Sequence, residues 1–138
     1  MDCVFCKIIN KEIPAFVIYE DEFVFAFLDI NPAAIGHTLV IPKKHFENVF
    51  DIDEEYLQKI ISVAQKIAKK MKDELGVEGV NFYHASGRAA EQSVFHFHLH
   101  IIPRVAGDSI DFTKSALRPL KEVNSEEMEK IRLKLSII

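Results

Sequence analysis

Between Val94 and Arg104 the chain reads Val-Phe-His-Phe-His-Leu-His-Ile-Ile-Pro-Arg. Polar and apolar residues alternate with period two. A strand sends successive side chains to opposite faces, whereas a helix repeats its face every three or four residues, so this alternation predicts a strand over 95–103. His96, His98 and His100 then form one row. Phe95, Phe97, Leu99 and Ile101 turn to the other face, where they can enter a core. Such a strand must find neighbours and a covering layer elsewhere in the chain.

The neighbours are legible. Segments 15–19 and 23–28 are rich in β-branched and aromatic residues and are separated by Glu20-Asp21-Glu22, which predicts a hairpin. Segment 31–36 reads as a loop, 37–42 as a third strand and 80–84 as a fourth, with 85–90 a loop of small residues before the histidines. A short helix is expected over 4–12, stopped ahead of Pro14. The covering layer is a helix from Glu54 to Leu75, where Leu57, Ile60, Ile61, Ala64, Ala68, Met71 and Leu75 recur at helical spacing. Asp53 is its expected N-cap and Gly76 its stop, and Lys69, Lys70 and Lys72 read as a solvated face near its C-terminal end. A last helix is expected near Asn124 or Ser125, with Met128, Ile131 and Leu135 inward. Five strands and one long helix imply an α+β fold, a mostly antiparallel sheet with helices packed on it.

With 138 residues, 49% hydrophobic and 28% charged, the chain can bury one core as a single domain over 1–138. Seventeen Lys and Arg against 21 Asp and Glu give a net charge of −4, which offers no general attraction to nucleic acid. No apolar run approaches the roughly 20 residues that span a bilayer. The N-terminus lacks the charged and apolar regions of a secretion signal, so a cytoplasmic location is expected, with Cys3 and Cys6 reduced.

A row of imidazoles suits two kinds of chemistry. The outer pair, His96 and His100, lie roughly 13 Å apart at about 3.3 Å per residue, too far to share one zinc with His98 without leaning strongly inward. A neutral imidazole is also a good nucleophile toward phosphorus, and its phosphoramidate product hydrolyses readily. His98, flanked on both sides, is the natural attacking group, with its neighbours placed to bind phosphate oxygens or pass a proton. Separately, Cys3-Val4-Phe5-Cys6 places both cysteines in Cys-x-x-Cys. In a reducing compartment this favours a metal, and a four-coordinate zinc would need two further ligands that spacing does not choose.

The segment 96–102 resembles the His-φ-His-φ-His-φ-φ signature (φ apolar) of the histidine triad family. Gln92-Ser93-Val94, Phe27-Leu28-Asp29-Ile30-Asn31-Pro32, the stretch from Gly36 to His45, and Phe5-Cys6-Lys7-Ile8-Ile9 resemble that family in the same order. The likeness runs from Cys3 to Arg104 and is greatest to the nucleoside phosphoramidate hydrolase branch. It implies a domain core over 3–104, an extension over 105–138, and a homodimer joining two five-stranded sheets into ten strands. It implies that His98 forms a nucleotidyl-histidine on the α-phosphate of a purine nucleotide. His100 is then bonded to phosphate and leaving group, and His37 orients the triad. Asp29 is implied to hold the ribose hydroxyls, Gln92 and Ser93 to contact the phosphate side, and Phe5, Ile8, Phe27 and Ile30 to sandwich the base. In the cysteine-containing branch a structural zinc is held by Cys3, Cys6, His45 and His96, with no catalytic cofactor.

Two positions depart from the family pattern. Ala85-Ser86-Gly87 stands where Asn-Asn-Gly is common, and Glu91 where a glycine commonly precedes the glutamine. Three rivals therefore stay open: a nucleotide-binding protein with little turnover, a dinucleoside polyphosphate hydrolase, and a metallohydrolase with its ion on the triad. His84 reads as an ordinary strand histidine, and Arg104 as a surface ion pair.

Overall fold

In a computed structural model of the chain, residues 2–111 and 123–137 are described. Part of the expected extension, 112–122, lies outside them. The elements run α1 (Val4–Ile9), β1 (Val17–Glu20), β2 (Val24–Leu28), β3 (Thr38–Pro42), α2 (Glu54–Leu75), β4 (Gly79–Tyr83), β5 (Leu99–Arg104) and α3 (Ser125–Leu135). The five strands form one sheet in the order β1-β2-β3-β5-β4, and every neighbouring pair is antiparallel. The expected α+β architecture is the observed one.

Local chemistry sets the boundaries. At the β1–β2 turn, Asp21 accepts from the N–H groups of Phe23 (2.7 Å) and Val24 (2.8 Å), closing the hairpin without glycine. Helix α2 begins and ends where its sequence predicts, with Gly76 in the left-handed conformation at its C-cap. Asp53 has extended N-cap geometry but makes no side-chain capping bond; its carboxylate sits 3.9 Å from Lys44 Nζ. Ile61, expected inward, is 49% exposed, and Val63 and Ile67 take the buried positions. Asn124 caps α3, accepting from Glu127 N–H at 2.9 Å.

Both faces of the sheet are covered at β2, which is apolar along its whole length and fully buried. Val24, Ala26 and Leu28 of β2 meet Ile60, Ala64, Ile67 and Met71 of α2 and Leu135 of α3. The alternate residues Phe25 and Phe27 meet Phe5 and Ile8 of α1, together with Leu39 and Ile41 of β3. Among the described residues no helix is long and apolar enough to cross a membrane.

The histidine segment departs from its expectation. β5 begins at Leu99, because β3 pairs with it only through Thr38–Ile101, Leu39–His100 and Val40–Leu99. Beyond Leu99 the ladder is replaced by other bonds. Phe97 N–H donates to the Phe46 carbonyl (2.7 Å), and the His96 side chain, not its backbone, reaches Pro42. Of the residues expected to share the core side, Phe97, Leu99 and Ile101 do so, while Phe95 lies half-buried under Arg88.

Gly36, in the loop before β3, has φ +94°, and a Cβ there would stand 2.9 Å from Leu75 Cδ1. Left-handed strain and this contact should make Gly36→Ala lose about 1–3 kcal/mol in urea unfolding. An unchanged midpoint would mean that the loop relaxes freely.

Candidate functional site

The loop joining β2 to β3 is built to present two polar groups. β2 ends at Leu28, and in the turn that follows Asp29 Oδ1 accepts from Asn31 N–H at 2.8 Å. The loop closes on itself through Asp29 N–H to the His37 carbonyl (2.9 Å) and His37 N–H to the Ala34 carbonyl (3.0 Å). This sets Asp29 Oδ2 3.6 Å from His37 Nε2.

Hydrogen-bond partners assign the proton on each buried ring. Ala33 N–H donates to His37 Nδ1 (2.9 Å), so the His37 proton is on Nε2, which donates to His100 Nδ1 (2.9 Å). His100 therefore keeps its own proton on Nε2. His98 donates Nδ1–H to the His96 carbonyl at 2.8 Å, which leaves the Nε2 lone pair free. Burial holds all three rings neutral: His37 is pushed down to about 4, His100 to about 3, and His98 below the usual histidine range. Burial raises Asp29 above the ordinary carboxylate range.

His98 and His100 open onto a cavity of about 340 Å³ whose wall includes Phe5, Ile8, Phe27, Asp29, Ile30 and Ser93. That volume is in the range of small-ligand sites. Phe5 packs edge-on against Phe27 and His98, with centroids 5.5 and 5.3 Å away. A larger cleft of about 460 Å³ beside Ile35, Leu75 and Pro103 lacks any histidine or cysteine, so the chemistry lies with the smaller one.

Gln92 is not on the cavity wall. Its Nε2 donates to the carbonyls of Glu47 (2.6 Å) and Val94 (2.9 Å), and its Oε1 accepts from Gly87 N–H (2.7 Å), so its amide braces the loops around the triad. Of the expected pair, Ser93 lines the cavity and Gln92 stands behind it. Sequence reasoning missed Val4, Ile13, Leu39 and Val94 on the wall. Leu39 was findable from strand register, since it pairs with His100.

Cys3, Cys6, His45 and His96 converge on a second centre behind this wall. Cys3 Sγ lies 3.5 Å from His96 Nδ1, Cys6 Sγ 3.4 Å from His45 Nδ1 and 3.6 Å from His96 Nδ1, and the two Nδ1 atoms 3.2 Å apart. Ligand atoms at tetrahedral zinc, with bonds of about 2.0–2.3 Å, are separated by roughly 3.3–3.8 Å. His96 donates Nε2–H to the Pro42 carbonyl (2.9 Å), which leaves Nδ1 unprotonated toward the cysteines. Burial pushes the Cys6 thiol up to about 11, so a thiolate there calls for a cation. The donor set fits a thiophilic tetrahedral ion.

A family profile described as the HIT domain matches residues 10–107. The chain belongs to the HIT (histidine triad) family. It is 53% identical over 106 residues to a HIT-like protein of Methanocaldococcus jannaschii, covering 77% of this chain and 81% of that one. It is 43% identical over 102 residues to an adenosine 5'-monophosphoramidase of Saccharomyces cerevisiae, covering 74% and 62%. The crystal structure of a Zn-bound histidine triad family protein from Mycobacterium smegmatis superposes with a TM-score of 0.84 at 40% identity, covering 98% and 94%. The resemblance carried by the triad and its flanking blocks is thus a family relationship, and the HIT fold is the one observed.

The depressed imidazoles of this HIT domain link stability to pH. An unfolded histidine takes its proton near 6.5 and folded His37 only near 4, so the unfolded state binds more protons between these values. Stability is full above about 6.5 and falls with pH through that window, by about 1.4 kcal/mol per pH unit for one such group. Urea unfolding from pH 7 to 4.5 should show a shallower acid loss in His37→Asn than in the wild type. Equal slopes would remove His37 as a source.

Proposed function

We propose that this HIT protein is a nucleotide hydrolase that cleaves purine nucleoside phosphoramidates at the α-phosphate. The carrying observation is the tautomer of His98: Nδ1–H is spent on the His96 carbonyl and the Nε2 lone pair belongs to a ring on the cavity wall. His98 Nε2 attacks phosphorus in line, an N–P bond forms, and the bond to the leaving amine breaks. His100 Nε2–H hydrogen-bonds the leaving nitrogen, which takes its proton from solvent water and departs as the free amine, and His37 Nε2–H holds His100 in that tautomer. Water then attacks the same phosphorus, the N–P bond breaks, a water proton passes to solvent, and the nucleoside monophosphate leaves His98 Nε2 with its lone pair restored.

Binding follows from the wall. Phe5, Ile8, Phe27 and Ile30 form the apolar slot for the base, Asp29 accepts from the ribose hydroxyls, and Ser93 faces the phosphate. The relationship to the yeast monophosphoramidase supports an adenine nucleotide and a P–N bond. Cys3, Cys6, His45 and His96 are the residues that would hold a structural zinc; when bound, it ties α1, which carries Phe5 and Ile8, to the triad segment. A homodimer through the β4 edge, where Phe82 is 42% exposed, would complete a ten-stranded sheet in the cytoplasm.

His98→Ala should lower AMP release from an adenosine phosphoramidate by at least about 10³-fold while AMP still binds. Normal turnover in that variant would sink the mechanism, and faster turnover of a dinucleoside polyphosphate by the wild type would reassign the substrate. Removing metal with a chelator should lower the melting temperature, with any activity loss following unfolding. Loss of activity at an unchanged melting temperature would place a catalytic ion on the triad instead.

A further inference from the structure

We propose that His84 is a positioning residue for the nucleophile, fixing the main chain of His98 from the β4 side; this rests on His98 being the attacking group. The β4–β5 ladder ends at the Tyr83–His100 pair, so His98 lies beyond the last residue that β4 pairs. His84, the first residue past β4, turns its ring inward and donates Nδ1–H to the His98 carbonyl at 2.9 Å. A side chain thus supplies the rung that the backbone does not.

The ring is held in that pose from two further directions. It stacks on Phe97 with centroids 4.4 Å apart and planes 26° from parallel. Its Nε2 accepts the hydroxyl proton of Ser86, and Ser86 Oγ accepts from Val49 N–H at 3.0 Å. With Nε2 committed as acceptor, the neutral ring carries its proton on Nδ1, the tautomer that the His98 carbonyl requires.

His98 is then held at two points: its ring by the His96 carbonyl, and its own carbonyl by His84. Together they set the direction in which Cβ leaves the main chain and the torsion at which Nε2 faces the cavity. His84, Ser86 and Val49 are absent from the cavity wall, so they act through His98 and not on substrate. Displacing a reacting atom by about an ångström costs as much as 10²-fold in rate, whereas binding remote from that atom is spared.

The test uses the purified chain with its metal retained and compares His84→Phe, His84→Asn and Ser86→Ala with wild type. His84→Phe keeps a flat ring over Phe97 but deletes the donor, and His84→Asn keeps an N–H close to the main chain. In rapid-quench measurements with an adenosine phosphoramidate, nucleotidyl-enzyme formation should slow by about tenfold or more in His84→Phe, with AMP affinity within about twofold of wild type. His84→Asn should recover most of that rate, and Ser86→Ala should fall between. The proposal is overturned if His84→Phe forms the adduct at the wild-type rate, if AMP affinity falls as far as the rate, or if His84→Asn does no better than His84→Phe.

A second readout needs no substrate. Ring nitrogen NMR of His98 should show a single Nδ1–H form in wild type and His84→Asn, and a mixture in His84→Phe. An unchanged His98 spectrum in His84→Phe overturns the proposal independently. A wild-type chain that gives this spectral pattern but forms no adduct would instead sink the nucleophilic assignment, leaving the contact between His84 and His98 intact.

Discussion

The His96 imidazole is fully buried, and both ring nitrogens and the main-chain carbonyl of this residue are engaged. Nε2–H goes to Pro42, Nδ1 faces Cys3, Cys6 and His45, and its carbonyl accepts the Nδ1–H of His98. The Cys/His centre and the proposed nucleophile therefore share one residue. Neither can shift without the other, because leaving a buried polar group without its partner costs that group's full desolvation penalty. Among the described residues no buried side-chain nitrogen or oxygen lacks a partner, which a cluster of interior imidazoles demands. This sharing also explains the loss of ladder before Leu99. A regular strand would aim its amide groups at β3, whereas here the segment spends them on ring and loop contacts.

Helix α1 extends the same coupling to the ligand slot. Its N-terminal end carries Cys3 and Cys6, and between them Phe5 touches Phe27, His96 and His98 edge-on. A six-residue helix has little stability of its own. Its position comes from packing against Phe25, Phe27, Leu39 and Ile41 and from whatever the two thiols hold. An ion held at that centre would act on the cavity through the pose of α1, without lining it.

Among the described residues, period-two alternation, helical spacing and hydrophobic runs placed the five strands and the three α-helices, because burial leaves a strong pattern in sequence; the short 3-10 turn at Arg88–Ala90 lay in a segment expected as loop. The same alternation put His98 and His100 on one face, and it overreached at His96, where a side chain replaces a rung. The partners of Gln92 were hidden for a related reason. An amide looks the same in sequence whatever it bonds, and its contacts with the carbonyls of Glu47 and Val94 come from the folded loops. His84 left no periodic signal, since it stands just past a strand end and acts through a ring stack and one carbonyl.

The two departures from the family pattern are resolved by where they sit. Ser86, in place of an amide, does not reach the cavity; its hydroxyl lies between His84 and Val49 N–H. Glu91, in place of a glycine, is held at φ +65°, a left-handed conformation that costs a side-chain-bearing residue about 1–2 kcal/mol. Its side chain is exposed and off the cavity wall, so its charge is spent in water and repels a bound phosphate weakly. Backbone strain, not electrostatics, is what that substitution adds. The loop from His84 to Gln92 therefore contributes rigidity behind the proposed nucleophile, and on the proposed reading the polar contacts to a phosphate would fall to Ser93, His98 and His100, which line the cavity.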